Sequence, residues 1–308
     1  MLYKGSTVST NNTINIFSND RKVINFLKSS QFNQEFIPSY SFSEKTVKMP
    51  AHSLFVETIS EGKEMFKTRK GESRIQASEK NLYLPDITFF LLSLFSRIQL
   101  ENNSLVMHSC ALDYKSKGFL IIGGRGDGKK ELALVAAING AKVASCENSV
   151  LCMAKDGHPY VIDGTNLMHV DSSQVLDKEA AEKLRTQDEK QVISAEDFKK
   201  LGIKQIKTTK IDYVFYAKIL PRSDISVIKP LSWPDNLLRL YGNTATYLSG
   251  ANNIFISNSR PFPNLDNKRL RQSRLAVAKN ICNHTLHFEI CGEPQKAIEF
   301  MDSLSGSC

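Results

Sequence analysis

The stretch GFLIIGGRGDGKKELALVAAINGAK, residues 118–142, limits the possible fold more than any other part of the chain. An apolar run ends in a glycine-rich turn with a lysine pair. Apolar residues then recur at helical spacing as far as Gly140, a helix stop signal. SLVMHSCALDY (104–114) before this stretch reads as a strand, and AKVASCENSVLCMA (141–154) returns to strand after it. A strand pair, a loop, a helix and a further strand, in that order, predict an α/β architecture around a central sheet.

The turn has the form of a phosphate-binding loop. In such a loop successive backbone N–H groups wrap an anion at a helix N-terminus, and glycines let the backbone approach it closely. Gly123, four intervening residues, Gly128 and Lys129 fit the G-x-x-x-x-G-K frame, with a strand before and a helix after. Lys129 is placed to reach terminal phosphates, and Arg125 adds a second cation. Gly126, Asp127, Lys130 and Glu131 complete the candidate nucleotide-binding set. The next position in the frame normally gives a Ser or Thr hydroxyl to Mg²⁺, and here it is Lys130. An ammonium only donates hydrogen bonds and carries positive charge, so it cannot ligate the metal as a hydroxyl does. Anion binding survives this change better than metal-dependent chemistry.

Residues 100–155 resemble the core of the HPr kinase/phosphorylase-like P-loop proteins, relatives of the phosphoenolpyruvate carboxykinase fold. The pattern is a strand with a His before a small residue, then G-x-x-G-x-G-K-S-E, a helix, a Gly-led turn, and a strand ending in an Asp pair. This chain has His108–Ser109, then Gly123, Gly126, Gly128, Lys129 and Glu131, then NGAKVAS, and Cys146–Glu147 at the Asp pair. The resemblance implies an HPr-kinase-like P-loop domain that uses ATP, or another phosphate donor, to phosphorylate a serine of a peptide or small protein. It also implies that His108 sits beside the transferred group and that Glu147 supports any Mg²⁺. The base position falls on Cys146, whose thiol serves only if nearby cations depress its pKa. Glu147 is the other candidate base. With the metal-binding hydroxyl and the base Asp both replaced, the rival reading is a non-catalytic relative that holds a partner peptide, protein or anion.

The rest of the chain adds context. At 308 residues it can hold one large domain or two ordinary ones, and 41% hydrophobic residues suffice for a sizeable core. The texture divides it into a mainly β N-terminal region, 1–85, packed on a P-loop domain, 86–308, which carries a charged insertion near 171–210. ITFFLLSLFSRIQL (87–100) is too short and too polar to span a membrane and reads as a buried helix opened by Pro85 and Asp86. The start shows no secretory signal, and six scattered cysteines suit reduced thiols, so the expected setting is cytoplasmic. The net charge of +8 is diffuse and makes nucleic acid a weak candidate partner. CNHTLHFEIC offers Cys282, His284, His287 and Cys291 in types that suit zinc, but a regular strand would face them in opposite directions. Lys268, Arg269, Arg271, Arg274 and Lys279 read as a solvated basic helix, and Asp163 as a turn residue.

Overall fold

A computed structural model describes residues 1–29, 31–171, 190–220, 226–249, 254–255 and 260–306. It is mixed α/β with mixed sheets. The chain forms two compact units, residues 1–106 with 244–274, and residues 107–243 with 275–308. The break therefore falls about 20 residues beyond the expected 85/86 boundary, and a later segment returns to the first unit. Most of the expected charged insertion, residues 172–189, lies outside the described residues.

The first unit is built on a six-stranded sheet. Strands β1 (Tyr3–Ser9), β2 (Asn12–Ser18), β3 (Ser41–Ser43), β4 (His52–Ile59), β5 (Met65–Arg69) and β6 (Glu72–Ser78) lie in the order β3-β1-β2-β4-β6-β5. Helices α1 (Arg21–Ser29) and α2 (Gln31–Phe36) lie between β2 and β3 in the chain. The apolar run becomes α3 (Leu84–Glu101), with Pro85 in its first turn. This helix is buried nearly all round. Its serines satisfy their hydroxyls within the helix, Ser93 donating to the Phe89 carbonyl at 3.0 Å and Ser96 to that of Leu92 at 2.7 Å. Among the described residues no helix is long and apolar enough to cross a membrane.

The second unit carries the glycine loop. Strands β7 (Ser104–Tyr114) and β8 (Lys117–Ile122) form an antiparallel hairpin, and α4 (Lys129–Ile138) follows the loop. Next come β9 (Lys142–Ser145), β10 (Asn148–Met153), β11 (Pro159–Gly164), the small ribbon β12 (Met168–Asp171) with β13 (Lys190–Ile193), α5 (Ala195–Lys200), β14 (Thr209–Lys210) and β15 (Tyr213–Ile219). The chain closes through β16 (Val227–Pro230), α6 (Trp233–Asn243), α7 (Lys268–His284), β17 (Leu286–Gly292) and α8 (Pro294–Ser305). The nine-stranded sheet runs β14-β11-β10-β7-β8-β15-β17-β16, with β9 paired to β7 off this path. Strands β8, β15 and β17 are parallel neighbours. Parallel strands are covered by helices and read as continuous apolar runs, as GFLII and YVFYA do. Leu132, Ala133 and Ala136 of α4 pack into one core with Phe215, Ile290, Ile298 and Met301.

Three local expectations change. AKVASCENSVLCMA is two strands joined by a bend at Cys146–Glu147. His284 ends α7, whereas His287 and Cys291 lie on β17, so CNHTLHFEIC is not one strand. Among the described residues no three His, Cys, Asp or Glu side chains come together to hold a metal ion. His287 is instead a satisfied core histidine, with Nε2 at 2.8 Å from the Thr285 hydroxyl. In the basic helix, Arg274 is buried and pairs with Asp266 at 2.6 Å, whereas Lys268, Arg269, Arg271 and Lys279 are exposed.

The close approach of β8 to the segment before β15 has a direct test. A Cβ on Gly118 would lie 1.6 Å from the Lys210 carbonyl oxygen, which is backbone and cannot swing aside. Gly118→Ala is expected to destabilise the chain by roughly 3 kcal/mol or more, read as a lowered urea midpoint.

Candidate functional site

Strand β8 delivers the loop. It pairs with β7 on one side and β15 on the other, so the chain leaves the sheet at Ile122 beside the parallel end of β15. In α/β sheets this carboxyl end of the strands is where ligands bind. Three backbone contacts hold the loop there: Ile219 N–H donates to the Asp127 carbonyl at 2.8 Å, Asp127 N–H to that of Gly124 at 3.3 Å, and Leu132 N–H to that of Gly128 at 3.0 Å. Gly128 is the N-cap of α4 in left-handed conformation, φ 76°, and its Cβ would strike Ile219 at 2.5 Å. No other residue type meets both conditions without strain.

Lys129 begins α4 and is 5% exposed. Its Nζ donates to the carbonyls of Gly123 at 3.0 Å and Gly124 at 2.7 Å, which points the ammonium back across the loop. Burial, reinforced by neighbouring Lys130, lowers its pKa against the opposing pull of Glu147 and Asp127. The carboxylate of Asp127 accepts from Gly124 N–H, so an internal anion engages one loop amide. Arg125 and Gly126 lie exposed at the loop tip, and Glu131 is half-buried in the first helical turn.

The pairing of β9 with β7 brings the second half of the site to the loop. Ala111 faces Ser145 and Leu112 faces Val143, with an irregularity between them. The chain then turns at Cys146–Glu147, and Ser109 N–H donates to the Glu147 carbonyl at 3.0 Å. His108 and Glu147 are thereby neighbours, with His108 Nδ1 3.4 Å from Glu147 Oε1. The Lys130 ammonium lies 2.7 Å from Glu147 Oε2, and the Glu147 side chain is only 7% exposed. Burial alone would raise the pKa of this carboxyl, yet His108, Lys130 and Lys129 together hold it below its ordinary value. Burial also drives His108 down to about 4, helped by Lys129 and Lys130 and opposed by Glu147, so its imidazole is neutral at pH 7.

Cys146 departs from the base role. Its side chain is fully buried, and burial raises the thiol pKa far more than Lys130 lowers it. The cationic loop does not produce the depression that a thiolate base requires. Its carbonyl accepts instead from the Cys110 thiol at 2.9 Å. The structure thus brings together Gly123–Glu131, His108 and Glu147, and sets Cys146 behind them in the core.

Two residues escaped sequence reasoning. Thr165 is buried, and its hydroxyl accepts from the N–H groups of Glu147 at 2.8 Å and Asn148 at 3.0 Å, while its carbonyl accepts from Cys146 N–H at 2.9 Å. Asn148 is also buried, and its side chain opposes the lowering of the His108 pKa. These residues orient the Cys146–Glu147 turn from behind. The signal available was IDGT, where a threonine follows a strand-ending glycine, but nothing in it points to residues 146–148. Asp163, read as a turn residue, lies buried one residue before the end of β11, and its carboxylate accepts from Gly164 N–H at 2.9 Å.

No family model matches the chain, and no curated protein matches it. Among solved structures it is similar to the HPr(Ser) kinase/phosphatase from Coxiella burnetii, at 14% identity and a TM-score of 0.27, covering 64% of this chain and 94% of that one.

The neutral imidazole predicts acid sensitivity. The folded pKa of His108 lies below its unfolded value of 6.5, so the unfolded chain binds more protons in the window between 6.5 and about 4. Stability is therefore full above pH 6.5 and declines as pH falls toward 4, at a cost from His108 of about 2 kcal/mol by pH 5. His108→Asn is expected to lose less melting temperature than the wild type between pH 7 and pH 5. Equal losses would show that folding does not lower the His108 pKa.

Proposed function

We propose that residues 123–131 bind the phosphate groups of a nucleotide, ATP being the first candidate, and that the chain is a kinase-like protein. The observation that carries this reading is the placement of Lys129. A buried ammonium is costly unless something needs its charge, and this one is aimed across a glycine loop at the N-terminus of a ten-residue helix. Two of its three donors rest on loop carbonyls, which leaves its full charge unneutralised for an anion in the loop.

A specific observation favours the version without phosphoryl transfer. Transfer to a serine hydroxyl requires a group that accepts its proton. The Cys146 thiol is buried and held protonated, His108 at about 4 is a weak base, and Glu147 is held low by the cations against it. The thiol is therefore out of a substrate's reach, and both oxygens of Glu147 already lie against other side chains. The same loop then serves a relative that binds a nucleotide, or holds a partner peptide or protein, without modifying it.

Calorimetric titration of ATP into the wild type and Lys129→Ala tests the reading. Loss of charge-assisted bonds predicts binding at least about tenfold weaker in the variant. Equal affinity in the two proteins would remove the loop from consideration. Incubation of the wild type with labelled ATP and serine-containing peptides is expected to give no phosphopeptide.

A further inference from the structure

We infer that the Lys130–Glu147 ion pair stands where a divalent cation would otherwise sit, so that the loop takes its phosphate ligand metal-free. This inference rests on the nucleotide-binding reading and specifies the form in which the ligand is bound.

The residues do not fit Mg²⁺. That ion demands near-octahedral oxygen coordination, and proteins supply it with carboxylates and a loop hydroxyl beside the phosphates. Position 130 presents an ammonium, and position 146 a thiol sealed in the core. Glu147, the carboxylate beside position 130, is 7% exposed and has an ammonium 2.7 Å from Oε2 and an imidazole 3.4 Å from Oε1. A metal at Glu147 would have to displace Lys130 and would leave that ammonium, itself 23% exposed, beside a dication. Like charges at such a distance repel strongly where solvent is scarce.

Charge explains why the two replacements occur together. Against the G-x-x-G-x-G-K-S-E and Asp-pair pattern, lysine in place of serine adds one positive charge, and a neutral thiol in place of an aspartate removes one negative charge. One plus one equals the charge of a single divalent cation. The Cys146 side chain is sealed in the core and presents no oxygen to a metal. Glu147 then orients a permanent cation in place of an exchangeable one, and its own burial is compensated by that cation.

Two measurements on the full chain test this. In the first, ATP affinity is read by calorimetry in EDTA and in excess Mg²⁺. In the second, Mn²⁺ is titrated with the protein and ATP, and the free ion is followed by electron paramagnetic resonance. The wild type is expected to bind ATP no more tightly with Mg²⁺ than in EDTA, and to retain no Mn²⁺ beyond that held by ATP alone. Lys130→Ser, which restores the hydroxyl and frees Glu147, is expected to bind ATP about tenfold more tightly with Mg²⁺ than without it. Wild-type binding that tightens about tenfold or more with Mg²⁺ would overturn the inference while leaving the loop reading intact. Indifference of a folded Lys130→Ser to the metal would also overturn it, since Lys130 would then not be the replacement. If Lys130→Ser does not fold, the wild-type Mn²⁺ titration decides alone. Absence of ATP binding in both conditions would sink the loop reading and this inference with it.

Discussion

Strand β8 has no free edge, and the geometry of the second unit follows from that constraint. Antiparallel pairing with β7 and parallel pairing with β15 hold its last residue, Ile122, at one height on the sheet. The loop must begin there, and Ile219 at the end of β15 takes hold of it through the Asp127 carbonyl. Because Gly128 passes against Ile219, the first turn of α4 can start only where a left-handed residue without a Cβ is available. Lys129 and Lys130 are consequently fixed in direction, one back across the loop and the other toward Glu147.

A second constraint is electrostatic. A carboxylate and an ammonium both removed from water must find partners, and burying either alone is strongly destabilising. Glu147 and Lys130 satisfy each other, His108 stays neutral beside them, and Thr165 and Asn148 anchor the turn from below. The cluster is thus a closed set of charges with a cationic side toward the loop. In the reading proposed above, such a set receives an anion's charge and leaves no free carboxylate oxygen for a substrate proton.

Much of this was legible in the sequence where the signal is local. The apolar run at 87–100 and the hairpin and helix around 104–140 appear as read, because periodicity, turn residues and stop signals act over a few positions. Signals that required knowing neighbours were misread. Arg274 looks like one more cation on a basic helix, yet it is buried against Asp266. Cys146 looks poised beside three cations, yet its side chain points into the core, where desolvation outweighs them. CNHTLHFEIC looks like one strand, but a helix end and a strand start divide it.

The sequence by itself determined that a strand enters a glycine loop and leaves as a helix carrying two adjacent lysines, because backbone conformation at glycine and helical spacing are properties of consecutive residues. Only the tertiary structure decided what those lysines meet. Pairing of β9 with β7, and the bend that follows it, carry Glu147 to Lys130 and His108 while leaving Cys146 sealed in the core. Which side of a bend reaches solvent depends on strand register and packing across tens of residues, and no local spacing encodes it.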